Sequence, residues 1–278
     1  ELLDILSQEV VQALFIKDFA PIAIDAKSIL NTGKTRHSHV QNIHAVLGNR
    51  LLLHDTTDNE SHWVKNHLKE FLQRLKAMSL LDGKTPLITG DGLYNNRNTR
   101  KHFEEQGCYY LLPVKSPSKS LQKILSNKRF LKRGEAVEKV KQQVIHSQYA
   151  LYRLKSNSEG IQYALIIDKS VYSTKTKSTT RRQHTYITNC PDENLDYFKI
   201  KTQHWQVETF HKLKDMWFLE DRYHKSKQNA PVISFMNNLL AFITQYLGIQ
   251  SQNELKILSF ELYQWLIHWL KKIYQTVL

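Results

Sequence analysis

Apolar positions along the chain follow two periods, and the changes between them mark out the elements. Residues 21–25 form a short apolar run that ends on the carboxylate of Asp25, and residues 42–47 and 51–55 are two further strand candidates. Gly48-Asn49-Arg50 between them is hairpin chemistry. Ser61 can cap a helix running to about residue 80, because Trp63, Val64, Leu68, Phe71, Leu72 and Leu75 recur at three- and four-residue steps over a charged face. Asp82-Gly83 stops it. Residues 86–91 repeat the pattern of an apolar strand ending on an aspartate, here Asp91; residues 96–106 read as helix closed by Gly107, and residues 109–114 as strand.

Short apolar strands separated by helices predict an α/β fold whose mixed sheet has parallel members, with ligands bound beyond the carboxyl ends of the strands. Both aspartates end strands in that way. Residues 116–193 read as a β-rich insertion, with a helix near 120–125 and strands at 137–145, 150–154, 163–167 and 184–188. Within it, residues 173–182 contain only Ser, Thr, Lys and Arg, which predicts a mobile basic loop near phosphates. Helical patterns follow at 196–220, 231–247 and 253–274. The expected organisation is a remnant helix over 1–20, a core over 21–115, the insertion over 116–193, a helical part of the core over 194–249 and a C-terminal helix over 250–278.

With 278 residues, 41% hydrophobic and 23% charged, the chain can bury a sizeable core, which excludes a disordered, collagen-like or disulfide-stapled protein. Thirty-nine Lys and Arg against twenty-six Asp and Glu leave a net charge of +13, which favours an anionic partner such as nucleic acid. Cys108 and Cys190 stand far apart without metal-binding spacing, so neither a disulfide framework nor a structural zinc is expected, and a reducing cytoplasm fits. No segment approaches the roughly 20 apolar residues of a membrane span, so a soluble protein without membrane contact is expected. The chain opens Glu-Leu-Leu-Asp with a helical pattern, which reads as a fragment rather than a signal peptide.

The helix through Glu208 carries the chemistry. At about 100 degrees per residue His204, Glu208, His211 and Asp215 share one face, while Trp205, Leu213, Met216 and Trp217 fall on another. Trp205 lies toward the apolar side, which favours a buttress over a base-stacking role. Asp25, Asp91 and Glu208 are thus three acids available to one site. Hard divalent cations such as Mg²⁺ take oxygen ligands and keep waters, so convergent carboxylates leave positions for phosphate oxygens.

Three blocks give these acids a family context. Ile22-Ala-Ile-Asp25-Ala-Lys27-Ser28, Ile88-Thr-Gly-Asp91-Gly and His204-Trp205-Gln-Val-Glu208-Thr-Phe-His211 resemble, in order and spacing, the motifs of the DDE-type insertion-sequence transposases with an RNase H-like catalytic domain, in particular the group that includes the H-repeat-associated proteins. Lesser echoes are Asp58-Asn59-Glu60, the run from Gly107 to Lys115, and Phe218-Leu-Glu220-Asp221 followed by Gln228-Asn229-Ala230-Pro231, so that the resemblance covers about residues 21–247. The acids are 66 residues (91 − 25) and 117 residues (208 − 91) apart, and the longer gap is what a β-rich insertion before the third acid produces. The chain departs from the family at Ala26 in place of Gly, at Thr202 in place of an Arg, and at Lys212 after His211 in place of Trp.

The resemblance implies an RNase H-like mixed sheet flanked by helices. It makes Asp25, Asp91 and Glu208 the catalytic ligands of paired Mg²⁺ ions, or Mn²⁺ in their place. It implies strand cleavage and joining at element ends, double-stranded DNA as both end and target, a homodimer on DNA, and residence in the bacterial cytoplasm on the nucleoid. Lys27, Lys115, Arg181, Arg182, His204 and His211 are the candidates for DNA phosphates. The alternative is a decayed or truncated transposase that binds DNA without cutting it. Two other readings fail on the residues. Ser28 to Thr35 lacks the first glycine of a P-loop and leads toward a strand, and Glu208-x-x-His211 has no second copy to complete a di-iron site.

Overall fold

The computed structural model describes residues 14–29, 40–48, 50–81, 83–155 and 160–217, together with positions 234, 237, 238 and 241. β1 (Phe19–Ser28) is the strand of the first aspartate, and all five residues from Ala20 to Ile24 are buried. β2 (Gln41–Leu47) and β3 (Arg50–Thr57) follow as the expected hairpin, with Gly48 at φ 63° in the turn. β1 pairs antiparallel with β2 and parallel with β4 (Thr85–Thr89), which in turn lies parallel to β5 (Tyr109–Pro113).

The helix expected from residue 61 to 80 is two helices, α1 (Glu60–Asn66) and α2 (Leu68–Lys76), because the helical backbone is distorted at His67, where φ widens to −119°. Asn59, not Ser61, caps the first: its side chain accepts from the His62 N–H at 3.0 Å. The break lets both segments face one core. Trp63 meets Phe71 edge-on with ring centroids 5.1 Å apart, and its Nε1 donates to Asp55 Oδ2 at 3.0 Å. Leu68, Phe71, Leu72 and Leu75 are buried on α2, each contributing about 1.5–3 kcal/mol. α3 (Arg97–Glu105) is capped by Asn96, and Gly107 at φ 63° turns the chain into β5.

The insertion holds α4 (Lys119–Ser126) and four long strands, β6 (Lys128–Val140), β7 (Gln143–Leu154), β8 (Tyr163–Ser173) and β9 (Ser178–Thr188). Two expectations are corrected here. The run 137–145 is not one strand, because Lys141 at φ 52° turns the chain between β6 and β7. The basic loop expected at 173–182 is the end of a hairpin: Ser173 pairs with Ser178, and Arg181 and Arg182 pair with Ser170 and Lys169. Backbone pairing forms that ladder where neither face needs apolar side chains.

β9 also pairs antiparallel with β5, Leu111 opposite Thr188, so the insertion extends the core sheet. The nine strands run β3-β2-β1-β4-β5-β9-β8-β7-β6. Its central strands are buried on both faces. Ile88, Tyr110 and Leu112 join Ile22, Ile24, Trp63, Phe71 and Phe103 on one side. On the other, Leu87 and Leu111 join Leu151, Leu165, Tyr197 and Ile200. Alternating residues of the same strands thus serve two cores, which makes this a large mixed α/β sheet flanked by helices.

The helix expected over 196–220 is α5 (Tyr197–Gln203), capped by the Asp196 side chain, and α6 (Trp205–Trp217). At His204 the bonds shorten to a three-residue step, His204 N–H to Lys201 and Val207 N–H to His204, each 3.2 Å. The chain divides into two compact units, Glu1–Ser28 with Val40–Thr209, and Ile29–His39 with Phe210–Leu278. In the second, Lys214 is fully buried and its Nζ donates to Ser234 Oγ at 3.1 Å. The helices expected over 1–20 and 253–274 lie outside the described residues, apart from positions 14–20, and so does most of that over 231–247. Among the described residues no helix is long and apolar enough to cross a membrane.

Candidate active site

Parallel pairing sets the first two acids side by side. β1 and β4 are in register at Ala23 and Thr89, and two residues further along each chain stand Asp25 and Asp91. Asp91 stands two residues past the end of β4, close enough for its charge to act on the Asp25 carboxyl. Asp91 also caps the short 3-10 turn Gly92–Tyr94: its Oδ1 accepts from the Leu93 N–H at 2.6 Å, and its Oδ2 pairs with Lys115 Nζ at 3.3 Å. The loop is tight at two glycines. A Cβ at Gly90 would lie 2.9 Å from the Tyr94 ring, and one at Gly92 would lie 2.8 Å from Lys115 Cδ. The buried tyrosine packs under the loop and the lysine stem lies across it.

Glu208 sits in the first turn of α6, where a carboxylate suits the helix dipole. What aims that helix is His204. Its Nδ1 lies 3.1 Å from Thr89 Oγ1, and Thr89 Oγ1 is 3.5 Å from the Ile22 carbonyl. Thr89 stands two residues before Asp91, and His204 four before Glu208, so this contact ties the second sequence block to the third. Burial, opposed by the Asp91 charge, pushes the His204 imidazole down to about 4. It is therefore neutral near pH 7 and held by hydrogen bonding to Thr89.

Burial, then Glu60, Asp91 and Glu208, push the Asp25 carboxyl up to about 7, against a backbone hydrogen bond from Ala26. Glu60, the strongest of these charges, enters the sequence analysis only within the Asp58-Asn59-Glu60 echo and not as a site residue. Its backbone N–H donates to Gln41 Oε1 at 2.7 Å, its Oε1 accepts from Tyr94 Oη at 3.2 Å, and burial and Asp91 raise its own pKa. The available signal was an acid directly after the helix cap that follows the third strand.

The other calls separate by strand geometry. Lys27 is buried two residues past Asp25 on the same face of β1. Lys115 is at the site through Asp91. Arg182 shares a face of the insertion with Lys169, its cross-strand partner, and with His184, whose pKa is lowered by burial and by Lys201, Lys169 and Arg182. Arg181, one residue away, turns to the opposite face with Ser170. His211 belongs to the second unit.

The donor set suits hard divalent cations: oxygen ligands only, with Glu60, Asp91 and Glu208 close enough to push the Asp25 carboxyl up. Among the described residues no three acids, histidines or cysteines are gathered at metal-holding spacing. Like charges in a partly buried site hold one another apart until a cation compensates them. A cleft of about 430 Å³ leads away from the carboxylates, bordered by Asp91, Lys115, Lys169, Lys201, Trp205 and Glu208.

One solved structure similar to this chain is titled a cryo-EM structure of a piggyBac transposase synaptic complex with hairpin DNA. It shares 9% identity at a TM-score of 0.46, with 84% of this chain and 50% of that one covered. This chain therefore spans about half the length of that protein. No curated protein matches it. The family model described as Transposase DDE domain matches residues 18–241, which contain all of the acids described above, and the chain belongs to that family.

Proposed function

We propose that this protein cleaves and joins DNA strands at the ends of an insertion sequence by phosphoryl transfer, with Asp25, Asp91 and Glu208 as the metal-holding carboxylates. The observation that carries this reading is the convergence of the acids from three sequence blocks: Asp91 and Glu208, with Glu60, lie close enough to Asp25 to push its carboxyl up. Such clustering of carboxylates in a partly buried place is a feature of functional sites. Bound there, paired Mg²⁺ or Mn²⁺ ions would offset the carboxylates, sharpen a water as nucleophile and stabilise the leaving 3′ oxygen.

The chain's own residues supply position and counter-charge. Asp25 holds a proton near neutral pH and gives it up when positive charge arrives. Lys115 balances Asp91 in the resting site at 3.3 Å and can turn to a phosphate once that carboxylate is otherwise compensated. Neutral His204, fixed to Thr89, keeps Glu208 aimed at the two strand ends. Lys169, Lys201 and Arg182 face the cleft side with charges suited to a DNA backbone. A homodimer on DNA, in the bacterial cytoplasm, completes the proposal.

The deciding assay is Mg²⁺-dependent nicking of DNA that carries the sequences flanking the coding region, wild type against Asp91→Asn. Loss of nicking in the variant is expected; equal nicking would sink the catalytic assignment. Binding by both proteins without nicking by either would establish the DNA-binding-only alternative. A second measurement addresses the anchor. Thr89→Val keeps the side-chain shape but strands His204 Nδ1, so kcat should fall about 10- to 100-fold through misaimed Glu208 while DNA affinity stays unchanged. An unaltered kcat would remove His204 from the positioning role.

A further inference from the structure

The outer margin of the insertion has no covering strand among the described residues. β6 stands last in the nine-stranded order, so one side of its thirteen-residue backbone meets no other strand of the sheet. Edge strands commonly resist pairing with a second chain by being short or by holding proline. β6 is long, holds no proline and carries exposed apolar groups. Of the five large apolar side chains that stay exposed among the described residues, three stand on it: Phe130 at 52%, Val137 at 57% and Val140 at 48%. Its charges are also sorted along its length. Lys128, Arg129, Lys132 and Arg133 precede Gly134, whereas Glu135 and Glu138 follow it, with Lys139 the exception. A strand that is basic in its first half and acidic in its second complements itself when turned round.

A bulge decides which of these side chains share a face. Phe130 and Val137 are seven residues apart, which in a regular strand sets them on opposite sides. The register shift between Phe130 and Lys132 absorbs one residue, so Phe130 pairs with Tyr152 and Val137 with His146, six positions apart on β7 and thus on one face. Phe130 meets Tyr152 edge-on there, with ring centroids 5.8 Å apart. Arg133, opposite Ala150, and Glu135, opposite Gln148, lie on that same face, and both are exposed.

We infer that β6 is a homodimer interface, on which a second copy lays its own β6 antiparallel about a two-fold axis at Gly134, joining two nine-stranded sheets edge to edge. This rests on the homodimer of the DNA reading above and gives it a surface. With each bulge passed over, Arg133 falls opposite the partner's Glu135, Phe130 opposite the partner's Val137, and Arg129 opposite the partner's Glu138. The two-fold makes each of these pairs twice. Like charges meet only at the outer ends, where Lys128 faces the partner's Lys139. Backbone hydrogen bonds between the edges supply attraction, and the side-chain pairs fix the register. Such a dimer forms before DNA arrives, so that two sets of carboxylates already stand in fixed relation when the strands to be joined are bound.

Sedimentation velocity over a micromolar concentration series, in EDTA and without DNA, is the test. The wild type should be a dimer. Arg133→Glu sets acid against acid and Glu135→Arg sets base against base, so each variant alone should dissociate at least about tenfold more readily. Mixed in equal amounts, the two variants complement each other at both pairs. The mixture should regain the association of the wild type, which also shows that each variant is folded. A monomeric wild type, single variants as dimeric as the wild type, or a mixture that stays monomeric would each overturn the interface. Duplex binding by the same three proteins is read separately by mobility shift. Its loss in all of them would overturn the DNA reading, whereas its retention beside a monomeric wild type would overturn the interface alone.

Discussion

Replacing Asp25 with asparagine is expected to stabilise the metal-free protein while abolishing strand cleavage. Burial, then the neighbouring acids, push the folded carboxyl up to about 7, well above the ordinary aspartate range, so the fold binds this proton more tightly than the unfolded chain does. A raised folded pKa contributes stability that is complete below the unfolded value and is lost as pH climbs through the folded one. The wild type should therefore weaken between about pH 4 and 7 on account of this residue, by up to about 4 kcal/mol for a shift of three units. Asparagine keeps an acceptor for the Ala26 N–H but carries no charge, so the advantage of the variant grows over that same window. At this chain length about 2–4 kcal/mol corresponds to roughly 5–15 °C in Tm. Thermal melts in EDTA from acid to mildly alkaline pH give the check. Added Mg²⁺ should reverse the order by stabilising the wild type and leaving Asp25→Asn unmoved. A variant no more stable than wild type at about pH 8 would show that the acids do not repel as described.

That trade between stability and function explains why the acids were legible in the sequence and their neighbour was not. Asp25 and Asp91 stand out because two apolar strands end on a carboxylate within blocks that resemble one family, and the H-W-x-V-E block adds a third acid with its own signature. Glu60 looks like an ordinary first-turn helix acid; only pairing β1 with β2, through Gln41, and folding Tyr94 beneath the Asp91 loop bring it to the site. The contact of His204 with Thr89 spans 115 positions, and no local pattern announces it. Helical periodicity overran the break at His67 because Trp63 and Val64 before it and Leu68, Phe71 and Leu72 after it face the same core, so the pattern continues where the backbone does not. Trp205, which is half exposed, was misjudged for a related reason: a helical wheel ranks faces by polarity, but Val207 and Phe210 had already filled the space that such a ranking assigned to it.

Strand pairing in the insertion leads to the other large effect, the response of DNA binding to salt. A run made only of Ser, Thr, Lys and Arg shows no alternation, and so the sequence could not say that Arg181 and Arg182 belong to a strand, nor that they part company across it. Lys115, Lys169 and Lys201 border the cleft and Arg182 pairs with Lys169 across the strands, so DNA lying along that side is expected to meet all four. Four neutralised phosphates give a slope of about −3.6 in log affinity against log salt, or a loss of roughly a hundredfold between about 50 and 200 mM. Arg182→Ala should flatten the slope by about 0.9, whereas Arg181→Ala, on the other face, should leave it unchanged. Titrating duplex binding at several salt concentrations for the three proteins separates these outcomes. Equal flattening by both substitutions would mean that DNA wraps the hairpin and touches both faces. No flattening by either would take the insertion out of the DNA contact altogether, leaving Lys115 and Lys201 beside the carboxylates as the grip on the strand.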